Sequence, residues 1–204
     1  ASTLAELETV REMLRRSVAA AVADDRSVAG ALADQSRDLE RRYEEVHDRL
    51  LSLIACQAPV AGDLRLAMGL LHVNDRIARM GAQCLNIATL CSAMEPGERP
   101  TASQLSCLES MSELVDEQVA SARRVFAERD VDGARGLREH DRGINDQNRR
   151  CFELAVEDHD CGRKAAFFVA MMARALERIG DNAVDIGQQA AFVETGRLHG
   201  TPIA

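Results

Sequence analysis

The stretch ERIGDNAVDIG, residues 177–187, returns in altered form as ARMGAQCLNIA, residues 78–88, and that relation decides the fold. Gly180 and Gly81 stand 99 positions apart. At the same offset Arg178 pairs with Arg79, Ile186 with Ile87 and Ala166 with Ala67, while Ile179 faces Met80 and Val184 faces Leu85. Apolar matches alone arise by chance between helices. The Arg-x-Gly placed alike in each half makes this an internal repeat.

Around both copies apolar residues recur at three- and four-residue spacing, the period of amphipathic helices. Leu4, Leu7, Val10, Met13, Leu14 and Val18 form the apolar face of a first helix, with Ser2 or Thr3 as its cap. After the polar DDRS (24–27), a second helix runs from Val28 to about Ala58. Pro59 suits the first turn of a third helix reaching about Met94, because its missing N–H costs nothing there. EPGERPTAS (95–103) holds two of the four prolines and breaks the chain near its midpoint. Three further helices follow over about 103–128, 131–158 and 161–195, with Gly196 as a C-cap and a frayed tail. The expectation is an all-α chain of six long helices in two tandem pseudo-repeated three-helix bundles, 1–95 and 101–196. Helices of 30 residues span about 45 Å, so each bundle is elongated.

Composition agrees. In 204 residues there are 5 Phe, 1 Tyr and no Trp, against 46 % apolar and 28 % charged residues, a palette of helix formers. The net charge of −8 offers no general attraction to nucleic acid or anionic lipid, and no long uncharged apolar run spans a membrane. The chain opens on Ala1 rather than Met, which suggests processing or trimming, and no charged–apolar–small leader is expected. Cys56, Cys84, Cys91, Cys107, Cys151 and Cys161 show neither CxxC nor His-paired spacing and read as reduced core thiols in preference to disulfides or a metal cluster. No Gly-rich phosphate loop and no spaced nucleophile–base set occurs, which argues against an enzyme.

Glu177, Asp181 and Asp185, at i, i+4 and i+8, line one narrow strip of the sixth helix. Like charges at this spacing weaken a helix, so the strip breaks a local rule beside the small residues Ala170, Ala173 and Gly180. Three carboxylates suit a hard divalent or ferric cation if a neighbouring helix adds oxygens; Glu139, Asp141 and Asp146 of the fifth helix are the donors, with Asp141 the candidate fourth ligand. The alternative is a solvated acidic face answered by Arg174 and Arg178. In the first half the matching positions are Ala78, Ala82 and Asn86, so any metal binds the second half alone. His72, in the apolar run LLHVN, reads as a half-buried side chain, and His140 is the one histidine placed to join a metal site; His47, His159 and His199 lie elsewhere. DLERRYEEVHDR (38–49) reads as a solvated face.

ALERIGDNAVDIG (175–187) resembles the signature of the PhoU family of phosphate-uptake regulators, which carries Glu-x-x-x-Asp-x-x-x-Asn/Asp once per half. CQAPVAGDLRLAM (56–68) is similar to that family's opening of its third helix in Gln57, Pro59, Asp63, Leu64 and Arg65. The resemblance implies a cytoplasmic, non-enzymatic adaptor, often dimeric. Such proteins join the ATPase of a phosphate ABC transporter to a sensor histidine kinase and damp the phosphate-starvation response, with the membrane reached only through partners. It also implies metal on Glu177, Asp181 and Asp185; Ala78 and Ala82 depart from the pattern. Two other readings remain: an accessory protein of a Pit-type phosphate carrier, and a metal-carrying helical bundle.

Overall fold

The apolar periodicity resolves into six helices: α1 (Ser2–Ala23), α2 (Val28–Gln57), α3 (Ala61–Ala93), α4 (Ala102–Glu128), α5 (Val131–Glu157) and α6 (Arg163–Thr195). The computed structural model describes residues 2–95, 99–157 and 162–197, and among these there is no strand. The expectations for His159, Cys161, His199 and the tail, and for Pro96 and Gly97 in the central break, fall outside the described residues.

Helix ends follow local chemistry. Thr101 caps α4 reciprocally with Gln104: the Gln104 N–H donates to the Thr101 hydroxyl (3.4 Å), and the Thr101 N–H donates to Gln104 Oε1 (3.1 Å). Asp130 Oδ1 accepts from the Asp132 and Gly133 amides at the start of α5 (3.1 and 2.9 Å). Gly196, at φ 72°, closes α6 in the left-handed conformation that glycine adopts without penalty. Three expectations shift. Thr3 lies inside α1, which already begins at Ser2. Pro59 sits in the α2–α3 connector, since Ala58 (φ 45°) turns the chain off α2 and α3 begins only at Ala61. His72 is exposed, because the buried stripe of α3 passes through Val73 and Asn74 instead.

The halves pack antiparallel about a pseudo-twofold axis. At one end Arg65 Nε of α3 donates to the Val193 carbonyl of α6 (3.2 Å); at the other, Lys164 of α6 pairs with Glu95 just beyond α3 (2.8 Å). α1 and α4 also run antiparallel to each other, since Arg11 meets Asp116 while Leu4 meets Arg123. Arg11 grips Asp116 with two hydrogen bonds (2.9 and 2.7 Å), and Arg123 Nε donates to the Leu4 carbonyl (3.2 Å). Hence α1, α3, α4 and α6 form the interior while α2 and α5 lie outside on α3 and α6. Leu7, Val10, Met13 and Leu14 are fully buried, as the periodicity of α1 predicts. They join Ile77, Met80, Met111, Val115, Met172, Leu176 and Ile179 in one connected core. Two three-helix units therefore share a single interior rather than keeping one each. The reason is that α3 and α6 are apolar on more than one side and must be covered by both their own half and the other.

Glycines set the closest approaches. A Cβ on Gly81 would lie 2.6 Å from Leu39 Cδ1 of α2, and one on Gly180 would lie 3.0 Å from Ile144 Cδ1 of α5. The repeated Arg-x-Gly thus lets each outer helix lie against its partner, and it puts Leu39 and Ile144 in equivalent places.

Candidate functional site

The i, i+4, i+8 spacing puts Glu177, Asp181 and Asp185 along the flank of α6, and the close approach at Gly180 brings α5 beside it. Asp141 Oδ1 would lie 3.4 Å from a Cβ at Gly180, so the glycine makes room for this carboxylate as well as for Ile144. Asp141 accepts from Asn145 Nδ2 through Oδ2 (2.9 Å), but its Oδ1 is buried with no hydrogen-bond partner. A buried acceptor without a donor is costly. Accordingly, burial first and then the charge of Glu177 push the Asp141 carboxyl above the usual range, against Asn145 and His140 pulling it down. Asp181 is also pushed up, by partial desolvation first and then by Asp141 and Glu177. Asp141, Glu177 and Asp181 therefore share one field, to which Asp185 adds the smallest part.

Asp185 also reaches toward the other half. Its partner is Arg76 of α3, 3.2 Å away, a cross-half ion pair that spacing within α6 could not disclose. Glu177 is paired with Arg174 on its own helix, as the solvated-face alternative requires, whereas Asp185 is answered from α3 rather than from α6. Arg76, Arg79, Arg174, Arg178, Asp181 and Asp185 line a cleft of about 250 Å³ between α3 and α6. Arg79 and Arg178 are repeat mates there, so both halves build it.

The remaining candidates disperse. Glu139 is exposed, and Asp146 pairs with Arg149. His140 turns toward α4: its Nδ1 is 2.8 Å from Gln118 Oε1 and its Nε2 is 3.6 Å from Glu117, while Gln118 Nε2 donates to the Leu137 carbonyl. That ring is a strut between α4 and α5. In the first half, the equivalence of Leu39 with Ile144 places Ser36 where Asp141 stands, opposite Ala78 and Ala82, so the three main acids of the shared field are absent there.

A cation is tested by these contacts. The donor chemistry suits a hard ion: carboxylate oxygens, one of them orphaned, held in mutual repulsion. The side chains as they stand are not gathered on one point, and no three His, Cys, Asp or Glu among the described residues form a metal-holding group. An ion would compete with Arg174 for Glu177 and with Arg76 for Asp185. Asp141, Glu177 and Asp181 are the residues that would hold it.

Comparison with known proteins follows the same repeat. The PhoU domain model matches residues 5–91 and again 108–190. The phosphate-specific transport system accessory protein PhoU homolog 1 of Mycobacterium tuberculosis is 28% identical over 173 residues, 83% of this chain and 78% of that protein. PhoU homolog 2 of the same organism is 31% identical over 145 residues, 71% and 68% of the two chains. The crystal structure of the phosphate transport system regulatory protein PhoU from Streptococcus pneumoniae superposes with a TM-score of 0.89 at 17% identity, covering 98% of this chain and 95% of that one. PhoU from Pseudomonas aeruginosa gives 0.88 at 21% identity, over 96% and 95%. Two helical triplets, each matching the same domain model at the places where the Arg-x-Gly repeat recurs, mean that this chain belongs to the PhoU domain family.

Proposed function

We propose that this protein is a non-enzymatic accessory regulator of phosphate uptake. It works by contact, docking on the ATPase subunit of a phosphate ABC transporter and on a sensor histidine kinase in the cytoplasm to damp the starvation response. The observation that carries this reading is the PhoU match in both halves, joined to a fold that covers 95% of each of the two solved relatives. The relatives' names place them in phosphate-specific transport, and this chain has no helix, among the described residues, long and apolar enough to cross a membrane. Exposed apolar side chains at both hairpin ends suit a contact role. Val60 and Met68 stand out at the α2–α3 end, Val156 and Phe167 at the α5–α6 end, and Met68 and Phe167 are repeat mates. A cation held by Asp141, Glu177 and Asp181 would cancel repulsion in the second half and tune that surface; competition from Arg174 makes it labile. A homodimer is part of the proposal.

The experiment is deletion of the gene followed by a phosphate-starvation reporter in rich phosphate, with binding of the purified protein to the purified transporter ATPase measured in parallel. Derepression together with micromolar binding supports the adaptor. A silent reporter together with binding to a Pit-type carrier instead selects the other accessory role. Light scattering at high concentration decides the dimer.

A further inference from the structure

Two cysteines that lie 44 residues apart in the chain meet at the seam between α4 and α5. Cys107 Sγ and Cys151 Sγ are 2.6 Å apart, and both residues are buried. Non-bonded heavy atoms ordinarily keep about 3.5–4.0 Å, and a covalent disulfide closes at about 2.05 Å. The two thiols are thus in direct contact, on two helices that the core already holds side by side. No other cysteine among the described residues is so placed. Cys84 and Cys91 face backbone carbonyls of α1, at 3.8 and 3.6 Å, and Cys56 is exposed. The first half has no counterpart, because α1 carries no cysteine.

We propose that Cys107 and Cys151 are a disulfide-forming modification site that a peroxide closes, tying α4 to α5 in the second half only. Cys107 retains 6% exposure and Cys151 none, so Cys107 meets the oxidant first. Its thiolate attacks the peroxide, the O–O bond breaks, and a sulfenic acid and hydroxide form. Cys151 then gives up its proton and attacks the sulfenic sulfur; the S–S bond forms and the hydroxyl leaves as water. In sum two thiols and one hydrogen peroxide yield one disulfide and two waters. Burial, reinforced by Cys107, pushes the Cys151 thiol up, which makes closure slow and dependent on local opening of the seam. The bond would brace the segment bearing Phe152, exposed next to Cys151 at the α5–α6 end.

The test treats the native full-length protein with hydrogen peroxide, blocks remaining thiols after denaturation, and maps linkages by fragmentation mass spectrometry. Expected are a loss of two thiols and 2 Da, reversal by dithiothreitol, and a linked Cys107–Cys151 pair that disappears in Cys107→Ser. Closing a loop of this length should also raise the Tm by roughly 5–15 °C. Persistence of both thiols, over-oxidation of Cys107 with Cys151 left free, or linkage of either to a different cysteine overturns the assignment. The linkage map on the parent protein decides the matter even if a variant fails to fold.

Discussion

Replacing Asp141 with Asn should make the protein more stable, although it removes a charged residue from a hydrogen-bonded position. The Asn145 donation to Oδ2 survives, since the amide keeps a carbonyl oxygen. What disappears is a half-buried negative charge whose Oδ1 has no donor and which faces Glu177 and Asp181. Like-charge neighbours cost a few tenths of a kcal/mol each, and partial desolvation of a carboxylate adds a comparable amount, so the gain at neutral pH is about 1 kcal/mol. For a chain of this size that is a Tm rise of about 2–4 °C. The pH dependence has a definite sign. The folded-state pKa is raised, so the native protein binds this proton more readily than the unfolded chain, and the carboxylate destabilises the fold at neutral pH. As pH falls through the raised value the parent recovers stability, and the advantage of Asp141→Asn vanishes near the unfolded value of about 4. Differential scanning calorimetry at several pH values between 4 and 8 reads this directly. An Asn variant that is less stable at pH 7, or whose advantage persists unchanged at pH 4, would refute the account of crowded carboxylates.

Four further outcomes can be checked. Asp181→Ala should lower the divalent or ferric content seen by elemental analysis, while Asn86→Ala should not; equal metal in the parent and Asp181→Ala removes the second-half site. Asp116→Ala should cost about 1–2 kcal/mol in urea unfolding, because it strips the two-hydrogen-bond partner from the partly buried Arg11. Thr101→Ala should cost about 1 kcal/mol by breaking the cap of α4. Phe167→Ser, at 59% exposure, should leave stability within about 0.5 kcal/mol; if it also leaves ATPase binding intact, the α5–α6 end is not the docking surface.

How much of this was legible in advance depended on which interactions are local. Helix existence, the repeat and the charged outer face of α2 could be read directly, because a 3.6-residue period is a property of neighbouring residues. The glycines were legible as small positions beside the acid strip, but not the identity of Leu39 and Ile144 as the side chains they admit. Pro59 misled because it is compatible with a first turn, and only the left-handed turn at Ala58 moved the start of α3 beyond it. His72 misled because an apolar run does not say which of its residues faces out.

The site divides along the same line. That Glu177, Asp181 and Asp185 share a strip follows from the sequence alone, since the helix backbone spaces them by whole turns. That Asp141 joins the first two, that Asp185 also meets Arg76, and that Cys107 touches Cys151 are consequences of how helices cross. Those crossings depend on which apolar faces must be covered together once two similar halves share one core, and no stretch of chain carries that information by itself.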